Sequence, residues 1–174
     1  MAELAVTAIG ADRPGVVAIL SGVLHERGGN ILDSSMTILG GHFTMMLLVD
    51  IDERPEQLHD ELRDATAHLA LFVAVTPVSP STRPPQPTHF LSVYGADRPG
   101  VLAGVTRTLA DHGVNITDLT TRMLSPDDQP VYAMVFNLEF PPGLDADVLD
   151  AAVRATSERL GVDHTLRPLE VETY

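Results

Sequence analysis

Two identical heptapeptides, Gly-Ala-Asp-Arg-Pro-Gly-Val at residues 10–16 and again at 95–101, hold the residues best suited to chemistry in this 174-residue chain. In each, an aspartate (Asp12, Asp97) stands just before a Pro-Gly pair that opens a segment of helical spacing. A helix N-terminus presents free backbone N–H groups and the positive end of its dipole, which attract a carboxylate or phosphate. Gly15 and Gly100 carry no side chain, so a ligand can come close to the backbone. The neighbouring aspartate can accept hydrogen bonds from an ammonium group. An anion site beside a carboxylate suits a zwitterion, that is, a free α-amino acid. An aspartate in this place can also simply cap the helix. Retention of a whole heptapeptide while its flanks diverged favours function, because Ser, Thr or Asn would cap equally well. Asn30 and Asn115 each open a strand after a helix-ending glycine. Their amides offer donor and acceptor together; the bland alternative is a turn residue in the left-handed conformation.

Other chemistries find little support. None of the seven histidines forms a His-x-x-x-His pair, and no carboxylate–histidine cluster has metal spacing. The histidines read as surface or hairpin residues. With no cysteine, disulfides, thiolate metal sites and a cysteine nucleophile are excluded. Ser34 and Ser35 lie outside any Gly-x-Ser-x-Gly elbow, and no dinucleotide or phosphate-binding glycine motif is present. Met36, Met45, Met46, Met123 and Met134 fall on strands and read as core filler. No catalytic residue, metal site or cofactor is expected.

The elements that must position the two loops follow from the repeat. Residues 10–33 overlay 95–118 without a gap and with roughly half the positions identical. Two repeats are too few for a solenoid, so one compact domain is duplicated. In copy one, strand Glu3–Ile9 leads to a helix opened by Pro14, with Val16, Ile19, Leu20, Val23 and Leu24 on its apolar face. Gly28-Gly29 ends that helix. Strands Ile31–Leu39 and His42–Ile51 join through a tight Gly40-Gly41 turn. A helix from Pro55 to His68, with Leu58, Leu62, Ala65 and Leu69 inward, and a strand Leu71–Val75 complete the unit. Copy two repeats the order: strand His89–Tyr94, helix Pro99–His112, strands Ile116–Leu124 and Val131–Phe140 around a longer loop at 125–130, helix Asp145–Leu160 and strand Val162–Val171. The order βαββαβ implies an α+β fold: two ferredoxin-like domains, each an antiparallel sheet with both helices on one face. The other face of each sheet needs cover from a paired domain or a second chain. The boundaries read as domain one at 1–76, a stiff Pro-rich linker at 77–88, and domain two at 89–174.

Composition agrees with a small globular protein. Apolar residues make up 44% of the chain, enough for packed cores. With 11 basic and 24 acidic residues the net charge is −13, and no Lys/Arg cluster exists to displace counterions from phosphates. Direct nucleic-acid binding is disfavoured. The N-terminus lacks a signal-peptide pattern and no window approaches a membrane span, so a cytoplasmic protein without membrane contact is expected.

Asp-Arg-Pro-Gly-Val, the amphipathic helix after it, Gly-x-Asn-Ile and the βαββαβ order resemble the ACT domain, twice over nearly the whole chain. The tandem is similar to the stand-alone ACT proteins of the glycine cleavage system transcriptional repressor family. ACT domains are regulatory modules that commonly bind amino acids at an interface between two domains. The ligand is held there by the first strand–helix loop of one domain and the start of strand two of a neighbour. Carried over by matching position, the resemblance implicates Gly10, Asp12, Gly15, Val16 and Asn30 in copy one. In copy two it implicates Gly95, Asp97, Gly100, Val101 and Asn115. Many ACT domains carry Asn at the positions of Asp12 and Asp97; aspartate favours the ammonium end and leaves the carboxylate to backbone N–H groups. The resemblance implies a non-enzymatic regulator, a homodimer, that binds a small amino acid and signals through a protein partner. The alternative is a regulatory or assembly subunit of an amino-acid metabolic enzyme without its own ligand. Formyltetrahydrofolate deformylases carry a similar domain, but their catalytic domain is absent here.

Overall fold

The computed structural model describes residues 2–79, 83–124 and 131–169. The chain divides into two compact units, 1–82 and 83–174. Unit one runs β1 (Ala2–Ala11), α1 (Val16–Glu26), β2 (Asn30–Leu39), β3 (His42–Ile51), α2 (Pro55–Thr66) and β4 (Phe72–Pro77), with a short 3₁₀ turn at Ala67–Leu69. Unit two runs β5 (His89–Ala96), α3 (Val101–Asp111), β6 (Asn115–Met123), β7 (Val131–Glu139), α4 (Ala146–Leu160) and β8 (Val162–Pro168). Each builds a four-stranded antiparallel sheet, in the order β2-β3-β1-β4 and β6-β7-β5-β8. The expected βαββαβ α+β architecture is therefore present twice. The longer hairpin loop at 125–130 and the end of the last strand, 170–171, lie outside the described residues, as does 80–82 of the Pro-rich segment.

Alternation builds the cores. Leu4, Val6 and Ala8 of β1 and Phe43, Met45, Leu47, Val49 and Ile51 of β3 face the same side as Val16, Leu20 and Leu24 of α1 and Leu58 and Leu62 of α2. Both helices therefore cover one sheet face. Unit two repeats this with Leu91 and Val93, Met134, Phe136 and Leu138, Val101, Val105 and Leu109, and Leu149 and Val153. The Gly40-Gly41 turn has positive φ at both residues (58° and 82°), as a two-residue hairpin of this hand requires.

Three expectations need correction. The first helix of each unit begins at Val16 and Val101, not at Pro14 and Pro99. The second helix of unit one ends at Thr66 and tightens into the 3₁₀ turn. Thr66 is buried there, its Oγ1 donating to the Leu62 carbonyl at 2.7 Å. The methionines also split. Met45 and Met134 are core residues, whereas Met36, Met46 and Met123 are about half exposed. The reason is topological: β2 and β6 are edge strands, and Met46 lies on the sheet face away from the helices.

Candidate functional site

The repeated loop is a turn before it is a helix. Gly15 (φ 94°, ψ −10°) and Gly100 (φ 92°, ψ −4°) take the values of the third position of a type II turn. The turn closes by Val16 N–H donating to the Arg13 carbonyl at 3.5 Å, and Val101 N–H to that of Arg98 at 3.4 Å. Proline second and glycine third are what this turn demands. Other members of the heptapeptide also have structural duties. A Cβ on Gly10 would lie 2.5 Å from Leu71 Cδ2, and one on Gly95 3.1 Å from the Val162 Cα, so both glycines permit close approach of the last strand. Val16 and Val101 are core residues and offer a ligand only their backbone. The Arg98 guanidinium stands 3.2 Å from where a Cβ on Gly161 would be, at the negative C-terminal end of α4.

The Arg13 side chain is exposed and without a partner among the described residues, and the aspartates Asp12 and Asp97 remain. Each is exposed, and neither side chain makes a hydrogen bond or ion pair among the described residues. The N-caps of α1 and α3 are Gly15 and Gly100, with no side-chain cap, so the capping reading of these aspartates fails. The first-turn N–H groups of Val17 and Ala18, and of Leu102 and Ala103, have no intrahelical partner. The Asp12 N–H donates to the Gly41 carbonyl at 3.3 Å, which ties this loop to the β2–β3 hairpin.

Asn30 and Asn115 open β2 and β6 as expected. Among the described residues Ala70 is the non-glycine residue with left-handed φ, so neither asparagine is a left-handed turn residue. Asn30, with Ser21, His25 and Gly29, lines a concavity of about 540 Å³ between α1 and β2. Asn115 lines one of about 280 Å³ with Arg83, Glu139 and Phe140. The two asparagines differ. Asn115 Nδ2 reaches Glu139 Oε2 at 3.5 Å and Glu139 pairs with Arg83 at 3.3 Å, whereas the Asn30 amide has no partner among the described residues.

Within one unit the loop and the asparagine do not meet. Asn30 pairs with Asp50, which is level with Glu3 at the start of β1. Asp12 follows Ala11 at the other end of β1, which pairs with His42. At roughly 3.3 Å per residue, the two positions lie about 30 Å apart along the strand. The same holds for Asp97 and Asn115, at opposite ends of β5. A site that uses both residue types takes them from two domains.

One pair escaped the sequence reading. His164 is 11% exposed at its side chain, and its Nε2 lies 3.2 Å from Asp150 Oδ1. Their separation in sequence matches no metal or catalytic spacing, so no signal marked them. Burial pushes the Asp150 carboxyl up, but hydrogen bonds and charge from Arg154 and His164 outweigh it and hold the pKa below its ordinary value. No group of three metal-ligating side chains occurs among the described residues, and no helix there is long and apolar enough to cross a membrane.

ACT-domain family models match residues 3–76 and residues 89–122. A UPF0237 protein of Methanopyrus kandleri is 45% identical over 78 residues, covering 43% of this chain and 87% of that protein. The glycine cleavage system transcriptional repressor of Escherichia coli is 27% identical over 167 residues, 94% of this chain and 88% of the repressor. The crystal structure of a protein of unknown function from Galdieria sulphuraria superposes with a TM-score of 0.82 at 28% identity, covering 97% and 98% of the two chains. A crystal structure assigned provisionally as a glycine cleavage system transcriptional repressor superposes with a TM-score of 0.72 at 20% identity, over 98% of both chains, and shows the shared fold.

Proposed function

Since this chain belongs to the ACT-domain family, with two such domains in tandem, we propose that it is a non-enzymatic regulatory protein that binds a small α-amino acid at an interface between ACT domains and signals through a protein partner. The observation that carries this reading is the elimination at the repeated loop. Turn, close packing and core account for Gly10, Pro14, Gly15 and Val16, and nothing in the fold accounts for the carboxylates of Asp12 and Asp97 or for the exposed Arg13 side chain. An exposed carboxylate beside unpartnered helix N–H groups suits the two ends of a zwitterion. The ammonium sits against Asp12, the carboxylate against the N–H groups after Gly15, and the asparagine of a second domain bridges them. Gly95, Asp97, Gly100, Val101 and Asn115 repeat the set in copy two. The full-length similarity to a transcriptional repressor supports a regulatory role, and the charge of −13 points to action through a protein rather than through direct DNA contact. The segment 77–88 serves as linker between domains 1–76 and 89–174.

Edge strand β2 is the surface that brings the second domain. All ten of its residues are exposed, including Ile31, Leu32, Met36, Ile38 and Leu39, and it carries no proline or lysine to block pairing. Antiparallel pairing with the β2 of a second copy sets Asn30 of one against the Leu39 end of the other, next to that copy's Asp12 loop. A ligand that binds only the folded protein raises its melting temperature. A thermal-shift screen of the full chain against the twenty amino acids at millimolar concentration is expected to show a rise with one or a few small ones; no shift with any of them would remove the amino-acid reading.

A further inference from the structure

Copy two carries a groove whose lining differs from the matching positions of copy one. β8 is an edge strand, bonded to β5 alone among the described residues. Beside it a cavity of about 460 Å³ opens, lined by Asp150, Arg154, Ser157 and Glu158 of α4 and by residues 162–166 of the strand. Asp150 is already engaged, since its Oδ2 accepts from Arg154 at 2.6 Å and its Oδ1 faces His164 at 3.2 Å. Glu158 and Asp163 are exposed carboxylates without an ion pair among the described residues. Ser157 is 2% exposed and its Oγ has no hydrogen-bond partner among the described residues. In copy one, Ala67 stands in the place of Glu158, Phe72 in that of Asp163 and Val73 in that of His164. The residue matching Ser157 there is Thr66, which is satisfied by the Leu62 carbonyl.

Alternate residues of an edge strand turn their N–H and C=O groups outward, a template on which another strand can form. A strand laid between an edge and a flanking helix gains affinity from main-chain bonds and specificity from the side chains around it. At the α4 end of the edge the unpaired carboxylates lie on both sides: Glu158 on the helix side, and Asp163, adjacent in the strand to inward-facing His164, on the opposite face, with Arg167 two positions further along that face. We infer that the α4–β8 groove docks an extended, basic peptide segment of a partner protein, which adds a strand along β8 and sets Lys or Arg side chains against Glu158 and Asp163. The inference supplies the partner surface of the reading above, and its test uses no amino acid.

The test is fluorescence anisotropy on the full chain with a labelled Lys–Val peptide of about seven residues, in which adjacent lysines put one Lys on each face of the added strand, its Glu–Val counterpart, and a fully N-methylated Lys–Val version. The Lys–Val peptide is expected to bind saturably, the other two at least tenfold more weakly. Glu158→Lys with Asp163→Lys should weaken the Lys–Val peptide at least tenfold; both sites are exposed, so the variant keeps its native circular dichroism. Equal binding of the N-methylated peptide would show mere attraction to an acidic protein and overturn the inference, as would an unaffected double variant. Failure here alongside an intact amino-acid thermal shift overturns the docking surface alone.

Discussion

Ala70 shows how closely the two copies are built and where they diverge. It holds a left-handed φ of 52° at the end of the 3₁₀ turn, where copy two has Gly161 at 68°. Left-handed backbone costs a residue with a Cβ about 1 kcal/mol relative to glycine. Ala70→Gly is therefore expected to raise the unfolding free energy of unit one by an amount of that order, read as a higher chemical-unfolding midpoint. The paired glycines at the end of β1 and β5 should respond unequally. A Cβ on Gly10 meets chiefly the rotatable end of Leu71, but one on Gly95 meets the Cα, Cβ and Cγ1 of Val162 at 2.8–3.1 Å. Gly95→Ala is expected to cost about 1–3 kcal/mol, and more than Gly10→Ala, in matched denaturation curves. Asp150 gives a pH signature. Its folded pKa is depressed, so its contribution is present above the unfolded value and is lost as pH falls through the folded one. Asp150→Asn should lower the melting temperature at neutral pH, and the difference should vanish in acid.

At the scale of elements, the sequence was most legible where one period dominates. β3 runs His42–Ile51 as its alternation predicts, because alternate residues fill one core face. The first helices were misplaced by two residues because Pro-Gly serves two grammars. Proline fits the opening turn of a helix, but a following glycine with positive φ makes the pair a type II turn instead. Alternation does not say which sheet face the helices cover, which hid the exposure of Met46, nor which strands lie at an edge, which hid that of Met36 and Met123. That arrangement bears on assembly. If β2 pairs with a second copy, a charge on its exposed apolar surface should prevent it. Ile38→Lys, at a position 51% exposed, is expected to shift the sedimentation coefficient toward that of a single chain without loss of helical content.

For the whole molecule, the candidate site was legible in residue type but not in geometry. The repeat marked the Asp12 and Asp97 loops, and the fold freed those aspartates from the capping role that sequence left open. That Asp12 and Asn30 stand at opposite ends of a strand follows only from register. A site that joined the two residues would therefore be a property of two domains rather than one. His164 and Asp150 stayed invisible because their meeting depends on how α4 packs against β8. The two copies are also unequal, since Glu139 engages Asn115 while Asn30 is unpartnered among the described residues. Binding should thus depend more on Asn30 than on Asn115. The most direct measurement is isothermal titration of the full chain with the amino acid that responds, alongside Asp12→Ala and Asn30→Ala. The native protein is expected to bind saturably, and each variant, though folded, about tenfold or more weakly, a loss of about 1.4 kcal/mol or more. Native-like binding by both variants would contradict a site built from the repeated loop of one domain and the strand opening of another.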